Sequence, residues 1–320
     1  MIHFSVVIPC FNVGKYVRDT IHSVLAQKFV YDFEIILIND GSSDDTLHVI
    51  NEFSNVHNIK IFNNTENKGV SYSRNRGISE CKGNFVLFLD GDDYYEPDLF
   101  QELYNVVNNN SQIDLFTFSF KKKSKNSQKS YTNSKYNLCT FNKSEFLKIY
   151  FRRSLYQCMC SFAVKRDTLI KNSIFFSEDI YAGEDQEFQI KCYLNSNMIY
   201  YLSKDYFIYN YREESTMNKT FNIKRISSLK IYERVSIEIS KTGLSDKLQK
   251  RFNTYSMLEF FSVLKNGLRS NNDNIIKHII KYDTILSKDI AFDLSLQFFI
   301  VSTLRFFYRI SPSIVFRILK

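Results

Sequence analysis

The sequence predicts an α/β fold: a doubly wound, mostly parallel sheet, followed by a C-terminal helical region. Three observations carry this. Short, continuously apolar runs alternate with helical patterns over the first 120 residues. Those runs lack the in/out alternation of a half-exposed strand, as expected where helices cover both faces of a sheet. From about residue 223 onward the spacing is helical throughout.

Ser5–Cys10, Glu34–Asp40, Ile59–Phe62, Phe85–Asp90 and Asp114–Ser119 read as strands. Lys15–Gln27, Asp45–Asn55, Val70–Glu80 and Asp98–Asn108 read as the helices between them. In such a sheet ligands sit at the carboxyl ends of the strands. There the polar residues fall: Pro9-Cys10-Phe11-Asn12, Asn39-Asp40-Gly41-Ser42 and Asp90-Gly91-Asp92-Asp93. The Lys-rich stretch 121–135 reads as a mobile loop or a hairpin tip. Ile223–Ser240, Asp246–Leu268 and Ile290–Ile310 read as helices. A division at about residue 220 follows, with an α/β domain over 1–220 and a helical region over 221–320.

The net charge of +8 is unevenly spread. Residues 1–100 hold 8 Lys and Arg against 14 Asp and Glu; the remaining 220 residues are strongly basic. An acidic first segment suits a bound metal ion, and a basic remainder suits an anionic surface or a solvated face. The six cysteines include no C-x-x-C pair, so reduced thiols are expected rather than a zinc site or a disulfide framework. No apolar run reaches the 18–20 or so residues that cross a bilayer. Nothing in the motifs points to nucleic acid.

The spacing Asp90-Gly91-Asp92 after an apolar strand has a chemical purpose. Mg²⁺ and Mn²⁺ prefer oxygen ligands, usually one or two carboxylates with substrate phosphates. Gly91 lets the backbone approach a ligand closely. Acidic turns after strands are also common without any ion.

The motif has company. Ser5–Val13, Asn39–Thr46, Asn67–Gly77 and Phe88–Asp93, followed by Glu184-Asp185 and Tyr209–Arg212, occur together in one order. In this the chain resembles the family 2 glycosyltransferases, inverting enzymes of the GT-A fold, over roughly its first 215 residues. The resemblance implies a hexosyltransferase taking a UDP-sugar donor, with Mn²⁺ or Mg²⁺ as cofactor. The acceptor would be a saccharide or lipid-linked oligosaccharide in bacterial capsule, lipooligosaccharide or O-antigen synthesis. A cytoplasmic enzyme at the inner face of the membrane is expected. The C-terminal helices would then contact that membrane, pack on the core or join copies of the chain.

The resemblance also assigns residues. Pro9, Phe11, Asp40, Arg74, Asp90 and Gly91 fall at donor-binding positions, with Asp40 toward the uracil N–H. Asp92 falls at the metal position and Asp185 at the catalytic base. Glu184, Tyr211 and Arg212 fall at acceptor or diphosphate contacts. Each has a plainer reading: Asp40 in a turn or helix cap, Arg74 in a surface ion pair while Arg76 takes the donor role instead, Asp185 as a helix N-terminal acid. A nucleotidyltransferase and a non-catalytic nucleotide-sugar-binding scaffold are the competing functions. The former lacks its Gly-rich basic loop after the first strand.

Overall fold

The computed structural model describes residues 2–212, 221–292 and 295–320. The first half runs β1 (Phe4–Cys10), α1 (Val17–Leu25), β2 (Phe33–Asp40), α2 (Thr46–Asn51), β3 (Ile59–Asn64), α3 (Val70–Glu80), β4 (Phe85–Phe88), β5 (Tyr94–Tyr95), α4 (Leu99–Asn109), β6 (Leu115–Lys123) and β7 (Gln128–Ser130). Then come β8 (Cys139–Asn142), α5 (Lys143–Phe151), β9 (Phe162–Lys165), α6 (Arg166–Lys171), α7 (Glu184–Leu194) and β10 (Met198–Asn210). Five helices close the chain: α8 (Ser228–Lys241), α9 (Asp246–Arg269), α10 (Asp273–Ile280), α11 (Leu296–Ile310) and α12 (Pro312–Leu319).

The chain forms two compact units. The first holds residues 1–143, 156–178 and 191–213; the second holds 144–155, 179–190 and 214–320. Two segments from before residue 220 thus cluster with the C-terminal helices, and α7 straddles the two groups. The expected boundary at residue 220 itself lies outside the described residues.

The first unit is a mixed α/β layer structure around one sheet, ordered β3-β2-β1-β4-β9-β6-β10-β5, with β7 on β6 and β8 on β10. The long strands pair in parallel: β3 with β2, β2 with β1, β1 with β4, and β6 with β10. Parallel neighbours need crossovers, and α2, α3 and α4 lie where the helical patterns were expected. The Lys-rich stretch is a hairpin, since Lys121–Lys123 of β6 pair with Gln128–Ser130 of β7. Periodicity did not reveal β9, a four-residue strand antiparallel to both β4 and β6. It also missed β10, whose register on β6 shifts on either side of Asp205.

Helix α1 buries Val17, Thr20, Ile21 and Val24, the i, i+3, i+4, i+7 stripe of a helix lying on a sheet. Helix α3 comes closer still. A Cβ on Gly77 would stand 2.2 Å from Val7 Cγ1, so only glycine lets this helix settle against β1.

In the second unit, Phe151, Tyr232, Phe252 and Tyr255 form an aromatic core, with Phe151 and Phe252 centroids 5.2 Å apart. Helix α11 starts at Leu296, six residues after the start expected at Ile290; residues 293–294 lie outside the described residues. It buries Val301, Leu304 and Tyr308 and leaves Leu296, Phe299, Phe306 and Ile310 exposed. No helix among the described residues is long and apolar enough to cross a membrane.

One buried acid ties the first unit's strands together. Glu34 accepts from Ser5 Oγ at 2.7 Å, Lys60 Nζ at 2.7 Å and the Lys82 N–H at 2.6 Å. Burial works to raise its pKa, but those hydrogen bonds outweigh it and hold the carboxyl below its usual value. A depressed folded-state pKa means stabilisation that is complete above the unfolded value of about 4.3 and lost as pH falls through the folded one. Glu34→Gln should cost about 2 kcal/mol near neutrality and flatten the acid side of the stability profile. Urea denaturation from pH 3 to 7 checks it; parallel wild-type and variant curves would refute it.

Candidate active site

The loop after β1 is pinned to the loop after β2. Asn12, in the left-handed region at φ 52°, donates its N–H to Ser42 Oγ and accepts at Oδ1 from the Ser43 N–H. The Val13 N–H donates to Thr46 Oγ1 at 2.8 Å, and the Gly14 N–H to Asp44 at 3.0 Å. Burial pushes the Asp44 carboxyl upward, yet bonds from Thr46 and backbone N–H groups leave it lower than usual. These contacts set Pro9 and Phe11 at the carboxyl end of β1. Pro9 is half-buried, and the Phe11 ring is 46% exposed. Gly91 lies against this loop: a Cβ there would come 2.9 Å from Val13 Cγ2 and 3.3 Å from the Pro9 carbonyl oxygen. Its missing side chain thus admits a neighbouring loop.

Asp40 ends β2 and is buried. Its Oδ1 accepts from Asn64 Nδ2 at 2.7 Å and the Lys68 N–H at 3.0 Å; its Oδ2 accepts from the Gly69 N–H at 2.8 Å. The carboxylate therefore holds the turn that leads into α3. Three of its roughly four acceptor positions are filled by these bonds.

Arg74, on α3, is only 3% exposed. Its Nη2 donates to Asp90 Oδ1 at 2.8 Å, and its guanidinium lies 5.2 Å from the centroid of the Phe176 ring. The pair joins α3 to the turn after β4; Arg74 is buried and the Asp90 side chain 40% exposed, so this is not the surface ion pair of the plainer reading. Arg76 is engaged elsewhere, donating to the Asn63 carbonyl oxygen and Asn64 Oδ1 at the end of β3.

The turn after β4 separates its three acids. Asp90 pairs with Arg74. Asp92 pairs with Arg212, whose guanidinium stands 4.2 Å from the centroid of the Tyr16 ring. Asp93 is 1% exposed and accepts from the Asn210 N–H at 2.8 Å, while its own N–H bonds the Asp90 carbonyl oxygen at 3.0 Å. Burial first, and then the Asp90 charge, push Asp93 well above the usual carboxylate range. Tyr211 N–H bonds the Lys123 carbonyl oxygen at 2.7 Å, and Lys122 Nζ stands 3.7 Å from its ring centroid.

Sequence reasoning grouped Asp93 with the other strand-end acids without a role of its own, and missed Cys160 entirely. Among the described residues, ligand atoms of Asp90, Asp93 and Cys160 lie within 4.8 Å of one another. The Tyr95 hydroxyl, 2.8 Å from the Phe88 and 3.0 Å from the Cys160 carbonyl oxygens, fastens the Cys160 turn beside β4. The tight Cys158-Met-Cys160 spacing was the only local signal, and it did not point there. Asp92, the expected metal ligand, is outside this cluster. The Cys160 thiol is raised by burial and so stays protonated, which makes it a poor partner for a hard cation.

Donor-position residues Pro9, Phe11, Asp40, Arg74, Asp90, Gly91 and Asp92 all belong to the first unit and lie at or beside the carboxyl ends of its parallel strands, with Tyr211 and Arg212 at the end of β10. Residues 5–171, just over half of the sequence, match the profile of Glycosyl transferase family 2. The chain belongs to that family. Its fold is the GT-A fold.

Among curated relatives, the glycosyltransferase is 26% identical over 253 residues to the poly(ribitol-phosphate) beta-N-acetylglucosaminyltransferase TarS of Staphylococcus aureus. That alignment covers 77% of this chain and 42% of TarS. It is 30% identical to the glycosyltransferase GlyA of Streptococcus pneumoniae, covering 66% of this chain and 31% of GlyA. The chain thus spans well under half the length of these relatives. The crystal structure of S. aureus TarS residues 1–349 with UDP-GlcNAc superposes with a TM-score of 0.68 at 21% identity, covering 89% of this chain and 90% of that one. At that identity the likeness speaks for the fold.

Glu184 and Asp185 open α7 and belong to the second unit. Gln186, next in the same turn, accepts from the Tyr232 hydroxyl at 2.7 Å. The Asp185 charge is among those that raise the buried Tyr150 hydroxyl, after burial itself.

Asp40 gives the direct test of this geometry. Asp40→Ala leaves Asn64 Nδ2 and two backbone N–H groups without their acceptor, and should cost about 3 kcal/mol in the absence of any ligand. Urea denaturation of the ligand-free protein measures it. A loss below about 0.5 kcal/mol would mean that the carboxylate does not hold the 65–69 turn.

Proposed function

We propose that the glycosyltransferase moves a sugar, with inversion, from a UDP-sugar to a saccharide or lipid-linked acceptor in bacterial surface-polysaccharide synthesis. The observation that carries this reading is the gathering of Asp40, Arg74, Asp90 and Asp92 at the carboxyl ends of adjoining parallel strands. Solved TarS structures hold UDP-GlcNAc and UDP, which supports uridine nucleotides as the donor class.

In this reading Pro9 and Phe11 pack on the uracil ring. Asp40 uses its remaining acceptor position for the ring N–H, and its bonds to Asn64, Lys68 and Gly69 keep it oriented. Arg74 supplies a fixed positive charge beside the ribose-side carboxylate Asp90. The Asp92 carboxylate fits Mn²⁺ or Mg²⁺ by its oxygen chemistry, and would hold it together with donor phosphate oxygens and water. Such an ion, when bound, neutralises charge that collects on a diphosphate leaving group. Arg212 holds Asp92 through a guanidinium that also suits phosphate oxygens, so it exchanges one anionic partner for another as donor binds. Asp185 takes the proton of the attacking acceptor hydroxyl, a contribution of about 10²–10⁴ in rate. Glu184 and Tyr211 contact acceptor or diphosphate.

Asp185→Asn tests the assignment, because it keeps the side chain's size and removes the base. The variant should bind UDP as the wild type does while transfer from the preferred UDP-sugar falls about 100-fold or more. Chelation should silence the wild type. Near-normal turnover by the variant would return Asp185 to the role of a helix-terminal acid. Full activity in chelator would remove the metal.

A further inference from the structure

The second unit contains a cavity of about 140 Å³ that the donor chemistry does not use. It is lined by Lys148, Arg152, Lys247, Leu248 and Arg251, with no acidic side chain among them. Lys148 and Arg152 are one helical turn apart on and just after α5; Lys247 and Arg251 are one turn apart on α9. Two basic pairs, from segments about a hundred residues apart in sequence, therefore share one small space.

We propose that this cavity binds a phosphate group, as a monoester or a diester. The macrodipole explains half of the cluster, since cations near the C-terminus of α5 are favourable there. It does not explain the other half. Lys247 lies in the first turn of the 24-residue α9, at the positive end where cations are disfavoured, and Arg251 lies one turn further in. Ser245, at the cap position, makes no side-chain bond to that turn, and the one first-turn acid, Asp246, pairs with Lys250 at 2.7 Å. An anion in the cavity would meet the helix end and all four side chains at once.

Lining and geometry narrow the ligand. A cavity of about 150 Å³ takes a ligand the size of benzene, so this space admits a phosphate group, and its basic lining rather than its size selects an anion. Arg251 is only 5% exposed, so its planar fork is held in the enclosed wall, and such a fork matches phosphate oxygens two at a time. Lys148, Arg152 and Lys247 are exposed and can close over a ligand from the mouth. The site stands apart from the donor reading and does not rest on it.

The test uses the full chain at low ionic strength. Calorimetric titration with inorganic phosphate and with glycerophosphoglycerol, a soluble diester, is compared with sedimentation on phosphatidylglycerol vesicles. We expect at least one probe to bind, and Lys148→Gln/Lys247→Gln to weaken it 10-fold or more while UDP affinity stays at the wild-type value. Arg251→Gln should do the same; if it fails to fold, the two exposed lysines decide. The control Lys277→Gln/Lys281→Gln removes the same charge elsewhere in the second unit and should leave binding intact. Binding of the soluble probes assigns the site to free or polymer phosphate, and binding of vesicles alone assigns it to a lipid headgroup. No binding by any probe, or equal losses in the control, overturns the proposal.

Discussion

The ion pair between the buried Arg74 and the partly exposed Asp90 is the constraint on which the donor side of the first unit depends. A guanidinium at 3% exposure has left water almost completely, whereas the Asp90 side chain is 40% exposed, so removing it costs less than the roughly 3–5 kcal/mol of a fully buried pair. Even so, the pair ties the turn after β4 to α3. Two further contacts fix the pair on either side. Gly77 lets α3 rest on Val7 of β1, which sets how far Arg74 reaches. The Asp93 N–H bonds the Asp90 carbonyl oxygen, and the Asp93 carboxyl takes the Asn210 N–H, so the same turn also anchors the end of β10. Arg212, two residues on, arrives at Asp92 from that anchor. Strand-end acids that look like a simple local motif are thus held by partners up to 120 residues away in sequence.

This explains what was legible in the sequence. Strands β1, β2 and β4 were readable because burial on both faces leaves a continuous apolar run, as in Ile35–Ile38, and because Asn12, Asp40 and Asp90 end the strand or follow within two residues of it. Asp40 and Asp90 were readable because each lies within two residues of such an end, and Arg74 because it falls in the Asn67–Gly77 stretch that carries the family resemblance. The plainer reading of Asp40 was also partly right, since its carboxylate does organise a turn, that of Lys68 and Gly69 rather than its own. The four-residue strand Phe162–Lys165 has too few residues to show a period, and its antiparallel place between β4 and β6 is a tertiary outcome. The division of labour among Asp90, Asp92 and Asp93 was illegible for the same reason. Their neighbours Arg74, Arg212 and Asn210 come from distant segments, and local spacing treats the three acids as equivalents.

Charge shows a similar split. The acidic first hundred residues supply the carboxylates at the strand ends, each matched by a specific arginine or backbone donor. Part of the basic remainder gathers in the second unit, where α5 and α9 bring four cations around one cavity. Composition indicated an anionic partner or a solvated face; Lys247 in the first turn of α9, where the helix dipole disfavours a cation, favours the former for this cluster.

The central claim is that Arg74 and Asp90 act as one element rather than as two independently useful residues. A double-mutant cycle of Arg74→Met and Asp90→Asn on the unfolding free energy measures this most directly. The ion pair predicts a coupling of about 1.5 kcal/mol or more, with each single variant nearly as damaged as the double. Losses that add to within about 0.5 kcal/mol would contradict it, and would mean that α3 and the strand-end turn are held in place separately.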